Sequence, residues 1–236
     1  MKATIHQPDF LPWFGFFNKI AKCDVWIVLD HVENNPRDAA FWGRRVRILV
    51  NGQPTWLSIP LSRPEVRGVI GVPIRDMTIN LHESRTLQKC LRTVQMAYAG
   101  APHFEQHRDL VESYFADQDP SLMGRNMRFI EAVMERLGLR PRVVASSSLG
   151  LSSRGTRLLV DILEAIRADT YLCGGGAGGY QQDEMFAAAG ITLRYNRFEH
   201  PVYRQLRTEQ FVPGLSILDA LFCVPTDRLA EWVRTS

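Results

Sequence analysis

Apolar and polar positions alternate in blocks that change period along the chain. A short apolar run at residues 3–5 leads directly into His6-Gln7-Pro8-Asp9, an aromatic stretch at 11–22 follows, and a second apolar run at 25–30 ends on Asp30. The middle stretch reads as a helix with Asp9 as N-cap and Pro12 in its first turn. Strand, helix and strand make a βαβ unit. In an open parallel α/β sheet, ligands sit beyond the carboxyl ends of the strands, and this layout puts His6 and Asp30 at two such ends.

Residues 32–73 switch to a short β pattern, with apolar alternating runs at 46–50 and 55–60. Asn51-Gly52 between them is a hairpin signal, with Gln53-Pro54 lengthening the connection. Residues 81–99 and 107–137 have helical period, separated by Gly100-Ala101-Pro102 and closed by Gly138. The last third returns to α/β alternation, with strands at 142–146, 170–173 and 191–195 and helices at 155–167 and 183–189. A further helix starts after Pro213-Gly214, and residues 227–234 suit another. The expectation is one α/β domain over 1–236. Its mainly parallel sheet is formed by the N- and C-terminal segments, with a β-hairpin and helical region inserted at 32–140.

Composition narrows the class. With 236 residues, 45% hydrophobic and 22% charged, the chain can bury a substantial core. A net charge of +3 without a Lys/Arg tract does not imply nucleic acid. The four cysteines stand far apart, with no C-x-x-C pair, which fits a reduced cytoplasm. No secretory leader pattern and no apolar run of membrane-spanning length is present, so no membrane is expected.

Several groups suit chemistry. His6 serves as a general base or a ligand-orienting donor, because imidazole titrates near neutrality; the other reading is a structural histidine bonded to a backbone carbonyl. His200, fixed before Pro201, approaches His6 in a doubly wound sheet or else sits in a surface loop. The glycine run beginning Gly174-Gly175-Gly176 lets a backbone approach a bound group or is merely a permissive loop. Cys173 is an exposed nucleophile or a small buried cysteine. Ser152-Ser153-Arg154-Gly155-Thr156-Arg157 opens a helix as a phosphate cradle of cap serine, first-turn hydroxyl and two guanidiniums, or as plain capping with solvated arginines. Arg44, Arg45 and Arg47 form a basic cluster able to hold a carboxylate or phosphate. Trp13 walls a substrate or belongs to the core.

These motifs resemble the WbqC-like family of bacterial proteins. The resemblance is carried by Ile5-His6-Gln7-Pro8-Asp9-Phe10-Leu11-Pro12-Trp13, Val28-Leu29-Asp30, Trp56-Leu57-Ser58-Ile59-Pro60-Leu61, Asp183-Glu184, His200-Pro201-Val202-Tyr203 and Pro213-Gly214-Leu215-Ser216-Ile217-Leu218-Asp219. It implies a cytoplasmic protein of surface-polysaccharide or natural-product biosynthesis. The implied reaction is transfer of an acyl or aminoacyl group from a carrier-protein thioester to an amine such as an amino sugar or amino acid. Many members have serine where this chain has Cys173, which argues against a required thiol. The expected catalytic set is His6, His200 and Asp30. The expected substrate contacts are Gln7, Asp9, Trp13, Arg45, Ser153, Arg154, Gly174, Gly175, Gly176, Asp183 and Tyr203. In this scheme His6 or His200 removes the amine proton, Asp30 orients it, and Gln7 or loop amides hold the oxyanion. No metal or cofactor is expected beyond a phosphopantetheine-borne acyl donor, with an acyl carrier protein as partner. A weaker similarity to H-x-G-H nucleotidylyltransferases, whose second histidine is Asp9 here, gives one alternative; a non-catalytic metabolite-binding protein is the other.

Overall fold

A computed structural model describes residues 1–62, 71–175 and 181–236. Its centre is a five-stranded sheet in the order β7-β2-β1-β8-β9. The strands are β1 (Lys2–His6), β2 (Val25–Val28), β7 (Arg142–Ala145), β8 (Thr170–Cys173) and β9 (Thr192–Tyr195). Every neighbouring pair is parallel. The sheet is thus built from the two ends of the chain, as the periodicity indicates.

Alternation along the strands sorts side chains between two cores. Ala3, Ile5, Val25, Ile27, Tyr171 and Cys173 face one side, under α5 (Gly155–Ala165) and α6 (Asp183–Ala188). Trp26 and Val28 face the other, under α1 (Phe14–Ala21). From β1 the chain crosses over one face to β2, whereas from β8 it crosses over the opposite face to β9. That reversal leaves a crevice between the carboxyl ends of β1 and β8, the standard ligand position of such sheets.

Between β2 and β7 lie β3 (Glu33–Asn34), antiparallel to β6 (Val72–Pro73), and the hairpin of β4 (Arg45–Val50) and β5 (Gln53–Ser58). Val50 pairs with Gln53, so Asn51-Gly52 alone makes the turn, both residues at positive φ. Gln53-Pro54 belongs to β5 and does not lengthen the loop. Pro54 has no N–H to give, and Leu49 opposite it donates its own to the Tyr98 hydroxyl at 2.9 Å.

Three helices complete the insert: α2 (Ser84–Tyr98), α3 (Phe104–Ala116) and α4 (Leu122–Arg136). The continuous helical period of 107–137 is therefore interrupted. Pro120 follows a turn in which Asp117 and Asp119 accept backbone N–H groups, and Ser121 caps α4 by accepting from the Gly124 N–H at 2.9 Å. The chain closes with α7 (Ile217–Cys223) and α8 (Thr226–Thr235), the latter tied to α1 through Asn18, which donates to the Val233 carbonyl. No helix among the described residues is long and apolar enough to cross a membrane.

Helix α1 starts at Phe14, not after Asp9. Pro12 disfavours helical backbone in the residue before it, and Leu11 sits at φ 42°. Residues 11–13 instead hold the C-terminal segment: the Leu11 carbonyl accepts from Ser216 Oγ and the Pro12 carbonyl from the Ile217 N–H, both at 2.8 Å. Asp9 is thereby released from capping.

Candidate functional site

A cavity of about 820 Å³ opens at the carboxyl ends of β1 and β2 and is walled by the first turn of α5. Ile5, Leu29, Phe41, Leu158 and Tyr171 give it apolar walls, and Trp13 and Trp42 stand among its aromatics. Its polar lining comprises His6, Gln7, Asp9, Asn34, Arg47, Thr156 and Gln181. A large apolar cavity with few convergent polar groups is the general form of a small-molecule site.

His6 and Asp9 share this cavity because Pro8 turns the chain between them. The Nδ1–H of His6 donates to the Gln7 carbonyl at 2.9 Å; a carbonyl can only accept, so this fixes the tautomer and leaves Nε2 with its lone pair. Asp9 Oδ2 lies 3.7 Å from His6 Nδ1. Among the described residues the Asp9 carboxylate accepts no hydrogen bond, although the residue is only 7% exposed. Beneath the pair is Lys19, also buried, whose Nζ donates to the Ile5 carbonyl at 3.4 Å.

Burial sets the charges here. Desolvation, reinforced by the Lys19 ammonium, pulls the His6 imidazole down to about 3, which favours the neutral ring. Desolvation pushes the Asp9 carboxyl up to about 7, although Lys19 opposes the rise. Lys19 itself falls to about 8, again through burial, with Asp9 pulling the other way. Two groups thus exchange protons near neutrality beside a neutral imidazole. A carboxyl held there in a cleft is the kind of perturbed group that marks functional sites.

The remaining candidates are dispersed. Asp30 does not line the cavity: its carboxylate accepts from Ser146 Oγ at 2.9 Å, the Ser147 N–H at 2.8 Å and Ser147 Oγ at 2.5 Å. These bonds hold its pKa below the usual value despite burial. The residue fastens the end of β2 to the turn after β7. His200 also stands outside the cavity lining, packed against Phe14, Phe198 and Phe211, with Nδ1–H donating to the Pro201 carbonyl at 3.0 Å. Tyr203 donates to Asp219 Oδ2 at 2.8 Å, where Gln205 and, on Oδ1, Tyr98 also converge. The His-Pro-Val-Tyr and Leu-Ser-Ile-Leu-Asp motifs meet there in a buried structural knot.

Trp13 does wall the cavity, and its indole folds back over Gly15, where a Cβ would lie 2.3 Å from the ring. Arg45 is engaged elsewhere: its guanidinium covers Trp56 at 3.7 Å and donates to the Ala39 carbonyl. Arg47, two residues along the same strand face, reaches the cavity in its place. Ser153 Oγ donates to Asp161, and Arg154 is exposed before α5; the neighbouring Gly155 and Thr156 line the cavity. Gly174 and Gly175 follow β8 without lining it, and Gly176 lies outside the described residues. Asp183 accepts from the Tyr195 hydroxyl on the surface. Cys173 is buried, its thiol pushed up by desolvation and donating to the Arg194 carbonyl, a poor environment for a thiolate.

Asn34, Tyr171 and Gln181 are cavity residues that sequence reasoning did not place in the site, whereas Thr156 belongs to the helix-opening motif read as a phosphate cradle. Gln181 beside the glycine run carried no signal.

Comparison with known proteins agrees with the motifs. No solved structure matches the chain. A protein of Mycobacterium tuberculosis (strain ATCC 25618 / H37Rv), named uncharacterized protein Rv1507c, is 28% identical over 226 residues, covering 94% of each chain. The model of the WbqC-like protein family matches residues 7–231, which include the Gln7-Pro8-Asp9 turn and the whole sheet after β1, and the chain belongs to that family.

Proposed function

We propose that this protein is a cytoplasmic acyl or aminoacyl transferase that moves an acyl group from a thioester, borne on a carrier protein, to an amine. The observation that carries the reading is the juxtaposition, in one cavity, of His6, whose Nδ1–H is committed to a backbone carbonyl, with a buried Asp9 carboxyl that accepts no hydrogen bond among the described residues and is pushed up to about 7. An amine arrives as an ammonium, and an unpaired carboxylate in an apolar cavity attracts it. The same carboxylate must then take a proton to make the nitrogen nucleophilic.

In the proposed reaction, Asp9 accepts one proton from the ammonium. The nitrogen lone pair adds to the thioester carbonyl, forming the N–C bond as the carbonyl π pair moves to oxygen. Gln7 and the first amides of α5, at Gly155 and Thr156, are the donors available to that oxyanion. The pair returns, the C–S bond breaks, and the departing sulfur takes the second proton from nitrogen through His6 Nε2. The amide and the free thiol leave, and Asp9 releases its proton to solvent. With His6 pulled to about 3, Asp9 is better matched as base and His6 as orienting acceptor and relay.

Intact-mass measurement with acyl-loaded carrier protein and a panel of amino sugars and amino acids tests the reading. The expected result is equal loss of acyl from the carrier and gain on one amine, with Asp9→Asn and His6→Ala each slowing transfer about 10²-fold or more and His200→Ala leaving it intact. Binding of amines with no transfer from any thioester would favour a non-catalytic metabolite-binding protein.

A further inference from the structure

Arg47 is a cation without a use in the mechanism above. It lines the same cavity as Asp9, and among the described residues its guanidinium makes no ion pair and no hydrogen bond. It has nonetheless been given room. Gly214, at φ +70°, passes so close that a Cβ there would lie 2.8 Å from Arg47 Nη2. The Arg47 carbonyl accepts from the Ser216 N–H at 2.8 Å, which fixes the strand against the 214–216 segment. Its neighbours on the mouth side are aromatic: the guanidinium stands 5.9 Å from the Trp56 ring, which packs at 5.6 Å against Trp42 on the cavity rim.

A carboxyl and a guanidinium that make no hydrogen bond among the described residues, in one cavity, describe a ligand carrying both charges. A guanidinium left unpaired in a largely apolar cleft is the side chain best shaped for a carboxylate or phosphate. We infer that the amine-bearing substrate also carries an anionic group, that Arg47 binds this group while Asp9 and His6 take the amine, and that Arg47 selects among acceptors. A cavity of about 820 Å³ suits a drug-sized ligand more than a free amino acid, so the class favoured is a phosphorylated amino sugar. The inference rests on the amine reading of Asp9 and His6 but not on thioester chemistry.

Its test is therefore binding without any acyl donor. Calorimetry compares glucosamine 1-phosphate, glucosamine, N-acetylglucosamine 1-phosphate and L-serine against the wild type, Arg47→Gln and Asp9→Asn. Glucosamine 1-phosphate should bind at least about tenfold more tightly than glucosamine, as expected for a charge-assisted pair, and Arg47→Gln should abolish that advantage. Blocking the amine by acetylation should cost as much in the wild type and markedly less in Asp9→Asn. L-serine binding more tightly than glucosamine 1-phosphate would assign the anion to a carboxylate and overturn the sugar-phosphate class. Equal binding of glucosamine and its phosphate, a phosphate advantage that survives Arg47→Gln, or no binding of any amine would overturn the inference itself. A failed acyl-transfer assay alongside the expected binding pattern would refute only the transferase reading.

Discussion

Asp9→Asn should stabilise the fold, and by an amount that depends on pH. An aspartate with an ordinary pKa of 3.8 raised to about 7 in the folded protein binds more protons folded than unfolded between those values. Stability contributed by that proton is full below the unfolded pKa and is lost as pH rises through the folded one. From pH 5 to pH 8 the loss integrates to about 2.5 kcal/mol, each tenfold change in proton affinity being worth about 1.4 kcal/mol. Asparagine has nearly the same shape and no charge to desolvate, so it escapes this loss. Lys19, lowered to about 8, enters only at the upper end of the range. Urea unfolding of wild type and Asp9→Asn at pH 5, 6.5 and 8 measures the difference directly. The variant's advantage should grow by about 2.5 kcal/mol across the series. A difference independent of pH, or one that favours wild type at pH 8, would mean that Asp9 is solvated or paired and does not hold a proton near neutrality.

Other outcomes follow from the same geometry. Lys19→Met removes the cation that restrains Asp9, so the carboxyl pKa should climb further and the rate-controlling ionisation should move up by about one pH unit, read from a pH–rate profile. Tyr203→Phe leaves Asp219 short of a donor in a buried knot and should cost about 1–3 kcal/mol in urea unfolding, with amine binding unchanged. Cys173→Ser should leave transfer within about twofold of wild type, because a desolvated thiol is no nucleophile; a loss of 10²-fold would point to covalent catalysis.

The parallel sheet was legible because strands buried on both faces read as apolar runs at both ends of the chain, and because Asn51-Gly52 carries its own turn geometry. Helix ends were less legible where a side chain had a second use. Asp9 has the residue type and spacing of an N-cap, and only the engagement of Leu11 and Pro12 by Ser216 and Ile217, 205 residues later for the Leu11–Ser216 bond, shows why the helix begins further on. The break before Pro120 was written in Asp117, Asp119 and Ser121 but masked by apolar residues that keep helical period on either side.

At the site, local sequence located His6, Gln7, Asp9 and Trp13 because they lie on one continuous turn. It could not separate Arg45 from Arg47, which share a strand face; the deciding feature is Trp56 on the facing strand, which holds Arg45. Nor could it rank the polar motifs. Asp30 and Tyr203 look like site residues in sequence, yet each is saturated by partners more than a hundred residues away or buried in its own knot, a distinction that belongs to tertiary hydrogen bonding.

In the proposed reaction everything turns on Asp9 holding the proton that the amine must lose. The most direct measurement is the pH dependence of single-turnover acyl transfer from a loaded carrier to a saturating amine, in wild type and Asp9→Asn. Transfer by the wild type should rise with pH through an ionisation at about 7, and the variant should be slower and lack that ionisation. An unchanged profile in Asp9→Asn, or an ionisation that instead disappears in His200→Ala, would contradict the account.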